Sequence, residues 1–184
     1  MPKTLAKYFL AWIPPDPLYA AAEGLKGEFE RRFALRYAQK SPSHVTLKMP
    51  FSLVESKEGL LIRQLEAFFE GQEPISLHLK GMGQFRGRVI YMRVLPSEAL
   101  AQLQKACVQH LRRSYGCPEE LSDLNFQPHL TVAFGDIKKR DFPEVWAWAR
   151  TLRPEYRERL DSLHLLKKID GRWQLLRAFP FLRP

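Results

Sequence analysis

Apolar positions along this chain change period several times, and each change marks an element. From Thr4 to Ile13 aromatic and branched residues alternate loosely with polar ones and stop at Pro14-Pro15, which predicts a strand. Leu18, Ala21, Ala22, Leu25 and Phe29 then recur at helical spacing behind Asp16 as N-cap and Pro17 at the first helical position, so a helix is expected to about Arg32. A loop through Ser41-Pro42-Ser43 leads to a strand over 44–53, and Leu61, Leu65, Phe68 and Phe69 set a helix over 56–70. Ile75, Leu77 and Leu79 alternate with polar residues and, with Val89–Val94, predict a hairpin. Ser97 caps a third helix with Leu100, Leu103, Cys107 and Leu111 inward and Gly116 at its end. A polar connector over 118–125 precedes a strand over 126–134. Asp141-Phe142-Pro143-Glu144 has the form of a capping box for a helix to Thr151 that buries Val145, Trp146 and Ala149, and Pro154 ends it. A last hairpin joins 160–169 to 172–181 through Asp170-Gly171.

Within this pattern one phrase occurs twice: His44-Val45-Thr46-Leu47 and His129-Leu130-Thr131-Val132, with a proline just upstream (Pro42, Pro128) and a Phe after (Phe51, Phe134). The hairpins echo too, as Ser76-Leu77-His78-Leu79 and Ser162-Leu163-His164-Leu165, 34 and 35 residues after their motif histidines, each followed by a Gly-Arg pair. A match at nearly the same offset points to duplication, and two copies suit two related lobes rather than a solenoid.

Composition adds bounds. At 184 residues and 45% apolar the chain can bury a real core. The net charge of +9 is +4 up to Met92 and +5 beyond it, so it is not a basic tail, and a diffuse positive field favours phosphate-bearing partners. Cys107 and Cys117 form no framework and suit a reducing compartment. The first residues carry Lys3 and Lys7 but a short apolar run without a small-residue cleavage site, and no stretch of about 18 apolar residues occurs, so a cytoplasmic protein without membrane attachment is expected, as a monomer.

Side chains two apart on a strand share a face, so each motif strand offers an imidazole and a hydroxyl together. If His44 and His129 meet across a cleft, one imidazole can take a proton from an attacking water while the other gives one to the departing oxygen. Thr46 and Thr131 can donate hydrogen bonds to oxygens that gain charge in between. By the same alternation Lys48 shares the face of His44 and Thr46 and is expected to contact phosphate; the second copy has Ala133 there. His78 and His164 sit opposite the leucine face of their strands, facing solvent or the cleft wall, and His110 is expected at the surface. Trp12, Trp146, Trp148 and Trp173 read mostly as core, with an exposed member available to stack on a base. No third ligand accompanies the histidines, so no metal and no cofactor is expected. Gly81-Met82-Gly83 reads as a hairpin kink rather than a phosphate loop.

The doubled phrase resembles the 2H phosphoesterases, the superfamily of bacterial 2′-5′ RNA ligase and of cyclic nucleotide phosphodiesterases, and His44-Val45-Thr46-Leu47-Lys48-Met49-Pro50-Phe51 is similar to a variant in its small bacterial branch. With the repeated hairpins the resemblance covers nearly the whole chain. It implies an α+β class and a single bilobal domain over residues 1–184, duplicated, with two antiparallel sheets lining a central cleft and helices outside. It also implies that His44 and His129 are the acid/base pair, that Thr46 and Thr131 hold phosphate oxygens, and that the substrate is a 2′,3′-cyclic phosphate or related RNA-end or cyclic-nucleotide diester opened without a metal. Ligase-like members commonly carry an Arg after the second motif where this chain has Ala133-Phe134-Gly135, and Lys48 is expected to supply that charge. A non-catalytic RNA-binding module using the same basic cleft, and a phosphodiesterase of small nucleotide-derived molecules, are the alternatives.

Overall fold

The computed structural model describes residues 4–181, so Lys3 lies outside the described residues. The elements follow the periods closely: β1 (Leu5–Trp12), α1 (Leu18–Phe33), β2 (Val45–Val54), α2 (Glu58–Glu70), β3 (Ile75–Phe85), β4 (Val89–Val94), α3 (Glu98–Tyr115), α4 (Leu121–Leu124), β5 (His129–Phe134), α5 (Phe142–Ala149), β6 (Glu155–Leu160), β7 (Ser162–Ile169) and β8 (Arg172–Pro180). Ser97 caps α3 as expected, its Oγ accepting from Leu100 N at 3.3 Å, whereas at α1 Pro17 and not Asp16 takes the N-cap position, one residue later than expected, with the Asp16 carboxylate accepting from Ala20 N at 3.0 Å. Asp141 makes no side-chain cap, and the capping box occurs instead at α4, where Glu120 and Asp123 satisfy each other's backbone.

The class is α+β, but the two sheets expected from the sequence are halves of one. Eight strands run antiparallel in the order β6-β3-β4-β5-β2-β1-β7-β8, joined at the centre by the pairing of Val45 with Leu130. Four strands lie on either side of that seam. The β3–β4 hairpin of the first repeat joins β5 of the second, and the β7–β8 hairpin of the second joins β1, so each half takes a hairpin from the other repeat. The echoing hairpins are consequently not equivalent in space: β3–β4 turns inward toward the seam and β7–β8 turns outward to the edge. Both turns carry positive φ at two successive residues, Arg86-Gly87 and Asp170-Gly171, which matches the right-handed twist of the flanking strands.

Helices α1, α2, α3 and α5 bury one face of this sheet. Tyr8, Leu10 and Trp12 of β1, Val45 of β2, Met92 of β4 and Leu130 of β5 join Leu18, Phe29, Leu65, Leu103 and Val145 in one apolar cluster. Burial of each such large side chain contributes about 1.5–3 kcal/mol. Cys107 and Cys117 are buried in the same cluster. Phe9, Ala11 and Leu166 point to the opposite face, where Ile13 and Trp173 pack over them. Trp12 is core and Trp148 packs edge-on to Phe29, while Trp173 alone of the four tryptophans packs on that second face. Among the described residues no helix is long and apolar enough to cross a membrane.

Candidate active site

The seam fixes the two motifs against each other. Val45 and Leu130 are paired and wholly buried, so their sequence neighbours turn to the other face. Extending that antiparallel register by one residue either way sets His44 opposite Thr131 and Thr46 opposite His129. The four residues thus form a quadrilateral on one face, with the histidines at diagonal corners. All four are half-buried.

The imidazoles are oriented alike. His44 Nδ1 lies 2.7 Å from Pro42 O and His129 Nδ1 lies 2.7 Å from Gln127 O, in each case the carbonyl two residues back. A carbonyl only accepts, so Nδ1 carries the hydrogen in both rings and Nε2 is left as the basic nitrogen. The prolines that flank the motifs serve this differently, since Pro42 itself provides the carbonyl and Pro128 lies between carbonyl and ring. The approach to His44 is further held by α1, where the buried Lys26 bonds Glu23 and Ser41 O, both at 2.9 Å, and Glu23 accepts from Ser43 N at 2.7 Å. Burial pushes the His44 imidazole down to about 4, against the pull of the Pro42 carbonyl and with help from the charges of Lys26 and His129. Burial also lowers His129, opposed by the Gln127 carbonyl. Both rings are therefore neutral at pH 7 before anything binds.

Lys48 does not join this face. Ala11 pairs with Thr46 but Leu10 with Lys48, so Leu47 is an extra residue in the ladder, a bulge that resets the alternation. The second motif repeats it: Tyr91 pairs with Thr131 and Ile90 with Ala133, leaving Val132 extra. Two consecutive residues are buried after each threonine, Leu47-Lys48 and Val132-Ala133. Where Ala133 is apolar, Lys48 needs a counter-charge. It finds one in Asp123, at 2.7 Å and with both side chains excluded from solvent. The expectation that residues 44, 46 and 48 share a face is corrected on this ground, and the Lys48 ammonium is engaged inside the protein rather than offered to a substrate.

The histidines outside the motif also separate. His164 pairs with Ala11, level with Thr46, and its Nδ1 accepts from Ile13 N at 3.1 Å. His78 lies beyond the end of β4, where its carbonyl accepts from Leu95 N, and its ring bonds Glu155 at 2.9 Å. Their likeness in sequence does not survive in register. His110 is half-buried rather than at the surface, stacked on Phe68 with ring centroids 4.7 Å apart, and its Nε2 is buried without a partner.

Sequence reasoning missed the surroundings of His129. Arg93 pairs with His129 across β4 and β5, and its guanidinium donates to Met82 O at 2.7 Å. Phe85 and Tyr91 pack on the His129 ring, with centroids 4.8 and 5.1 Å away. The Tyr91 ring lies where a Cβ on Gly83 would be, 2.4 Å from its nearest carbon, so only glycine admits it. Nothing local in Met92-Arg93-Val94 signals this; the β4–β5 register does. Beside it opens a cleft of 560 Å³ that includes Thr46, His129, Phe85 and Phe126. Among the described residues no three His, Cys, Asp or Glu side chains are grouped to hold a metal ion.

Comparison with known proteins now decides the family. Residues 14–172 match the 2′-5′ RNA ligase superfamily. This chain belongs to that superfamily. Relatives within reach by sequence include proteins of Geobacillus sp. strain WCH70, 26% identical over 94% of this chain and 95% of theirs, and of Bacillus licheniformis, 27% identical over 94% and 97%, both bearing the name "Putative phosphoesterase". The fold is that of Escherichia coli LigT complexed with 3′-AMP, with a TM-score of 0.65 and 22% identity over 98% of this chain and all of that one. TT0787 of Thermus thermophilus matches with a TM-score of 0.66 and 16% identity over 96% and 98%. The chain therefore has the superfamily's phosphoesterase or RNA-ligase-like character and its fold.

Proposed function

We propose that the protein opens a 2′,3′-cyclic phosphate, on a nucleotide or at an RNA end, by general acid and base catalysis from His44 and His129. One Nε2 takes a proton from water as its oxygen bonds phosphorus. The other, as imidazolium, protonates the ribose oxygen as its bond to phosphorus breaks, so that a nucleoside monophosphate or a terminal monophosphate leaves. Thr46 and Thr131 donate to the phosphate oxygens, which gain charge in the transition state. The two imidazoles supply both proton transfers, so this scheme is complete without a metal. The observation that supports the reading is the pairing of Val45 with Leu130 at the seam, which brings the two motif strands side by side. That LigT has been crystallised with 3′-AMP supports a nucleotide in this cleft.

Incubation with a 2′,3′-cyclic nucleotide in EDTA tests it. A single monophosphate regioisomer is expected, and His44→Ala and His129→Ala each are expected to lower turnover by about 10²–10⁴-fold. Turnover untouched by both substitutions refutes the acid/base assignment. Tight RNA binding with no turnover favours the binding-module reading, to which the charge of +9 would lend itself.

A further inference from the structure

The sheet face that carries the motifs lies opposite the helices, and on its His129 half basic residues fall into line. Leu77, Leu79, Met92, Val94 and Leu160 are buried in the core on the helix side, so the residues between them turn to the motif face. Register orders these outward from the motif. Arg93 of β4 pairs with His129, and on the edge strand β6 Arg157 pairs with His78 and Arg159 with Ser76 of β3. Arg93, Arg157 and Arg159 are all exposed. Three inter-strand steps, from β5 to β6, make this row about 14 Å long.

Glu155, the carboxylate that shares this face, is already held by His78 at 2.9 Å and by Lys80 at 3.1 Å. Among the described residues no carboxylate pairs with Arg157 or Arg159. Protecting an edge asks only for charge, of either sign. Two arginines two residues apart on one face repel each other and suit an anion that carries its charge in repeats. Across the seam the same face is apolar next to His44, with Phe9, Ala11 and Leu166 beneath Ile13 and Trp173, and Leu175 of β8 is 53% exposed. The chemistry of the proposed substrate says which anion fits. A 2′,3′-cyclic phosphate closes the 3′ end of a chain, so every further residue leaves from the 5′ oxygen of the terminal nucleoside and brings a phosphate with it. We infer that the row from Arg93 to Arg159 is the docking path for the phosphate backbone of a single-stranded RNA whose 3′ end reaches the motifs, and that the protein takes RNA ends in preference to free nucleotides. The inference rests on the terminal phosphate lying among the two motifs.

Fluorescence anisotropy with a labelled single-stranded oligoribonucleotide ending in a 3′-monophosphate tests the path by binding alone. The wild-type protein is expected to bind it at least about tenfold more tightly than adenosine 3′-monophosphate used as competitor. Arg157→Ala/Arg159→Ala is expected to lower oligonucleotide affinity about tenfold and to make the plot of log affinity against log salt shallower by about 1.4, at about 0.7 for each phosphate contact. Arg157→Lys/Arg159→Lys is expected to keep most of the affinity, because a backbone contact asks for charge rather than for a base edge. Lys7→Ala/Lys168→Ala removes the same charge from exposed positions on β1 and β7 and is expected to change affinity less than about twofold. All four side chains are exposed, so their replacement leaves the fold intact. Equal losses in the two alanine pairs, a lysine pair as weak as Arg157→Ala/Arg159→Ala, or an oligonucleotide bound no more tightly than the mononucleotide overturns the inference. With the expected binding pattern intact but 2′,3′-cyclic ends left unopened, the proposed reaction falls and the docking path stands.

Discussion

The two motif strands share a backbone down to the bulge after the threonine, yet their surroundings diverge. Around His44 the chain is filled in: Phe9 packs on the ring at 4.9 Å, Trp173 closes over Phe9, and Lys26 and Glu23 hold the approach from α1. Around His129 it is open, with an aromatic pair, Arg93 in register and a cleft along the α4 segment. In the proposed reading, the two halves keep alike what the phosphate chemistry needs and differ in the rest. Within a pseudo-symmetric site, a difference between halves therefore marks recognition, and an identity between halves marks the reaction.

The sharpest way to break this comparison is at the bulge, where Lys48 stands for Ala133. Lys48→Met alone strands the Asp123 carboxylate in the interior and is expected to cost about 3–5 kcal/mol of stability in denaturant titration. Ala133→Leu tests overpacking at the matching site and is expected to cost about 1–3 kcal/mol. A smaller loss for Lys48→Met than for Ala133→Leu contradicts the account of the bulge. Thr46→Val and Thr131→Val probe the shared chemistry and are each expected to lower kcat by about 10²–10³-fold, with an effect confined to one of them showing that the halves do not share the phosphate.

Acidity separates the halves less steeply. The proposed scheme needs one neutral and one protonated imidazole, and His44 stands at about 4 with His129 below its ordinary value. The kcat/KM profile of the unliganded enzyme is thus expected to peak on the acid side of 6.5 and to fall about tenfold per pH unit above its alkaline limb. A peak above pH 7 contradicts it. The same depression bears on stability: between 6.5 and about 4 the unfolded chain binds a proton at His44 that the folded chain does not, so stability declines as pH falls through that window. His44→Gln is expected to flatten this decline in thermal melts. The smallest effect belongs to Gly83→Ala, whose methyl displaces the Tyr91 ring from beside His129; KM is expected to rise only a few-fold, about 1 kcal/mol or less.

The motif strands, the cap at Ser97 and every helix but α4 were legible in the sequence, because period and turn chemistry are local. β6 was not. Its residues Glu155–Leu160 alternate between charged side chains, as suits an edge strand that discourages pairing with other molecules, and only Leu160 is buried. The bulges escaped because Leu47-Lys48 reads as unbroken alternation, and only the partner strand reveals the extra residue. That single residue reversed the reading of Lys48. His78 and His164 look like twins for the opposite reason: their sequence match is real, but register is set by neighbours far away in the chain.

The exchange of the β3–β4 and β7–β8 hairpins bears on how the chain is made. All four strands around His129 fall within residues 75–160, one continuous run, whereas the four around His44 are split between the first 54 residues and the stretch from Ser162 to Pro180. Leu10 waits for Leu165 to complete its ladder. As the chain leaves the ribosome, β1 therefore keeps an unpaired edge until the stretch from Ser162 onward emerges, and the half that is whole before then is the one that surrounds His129.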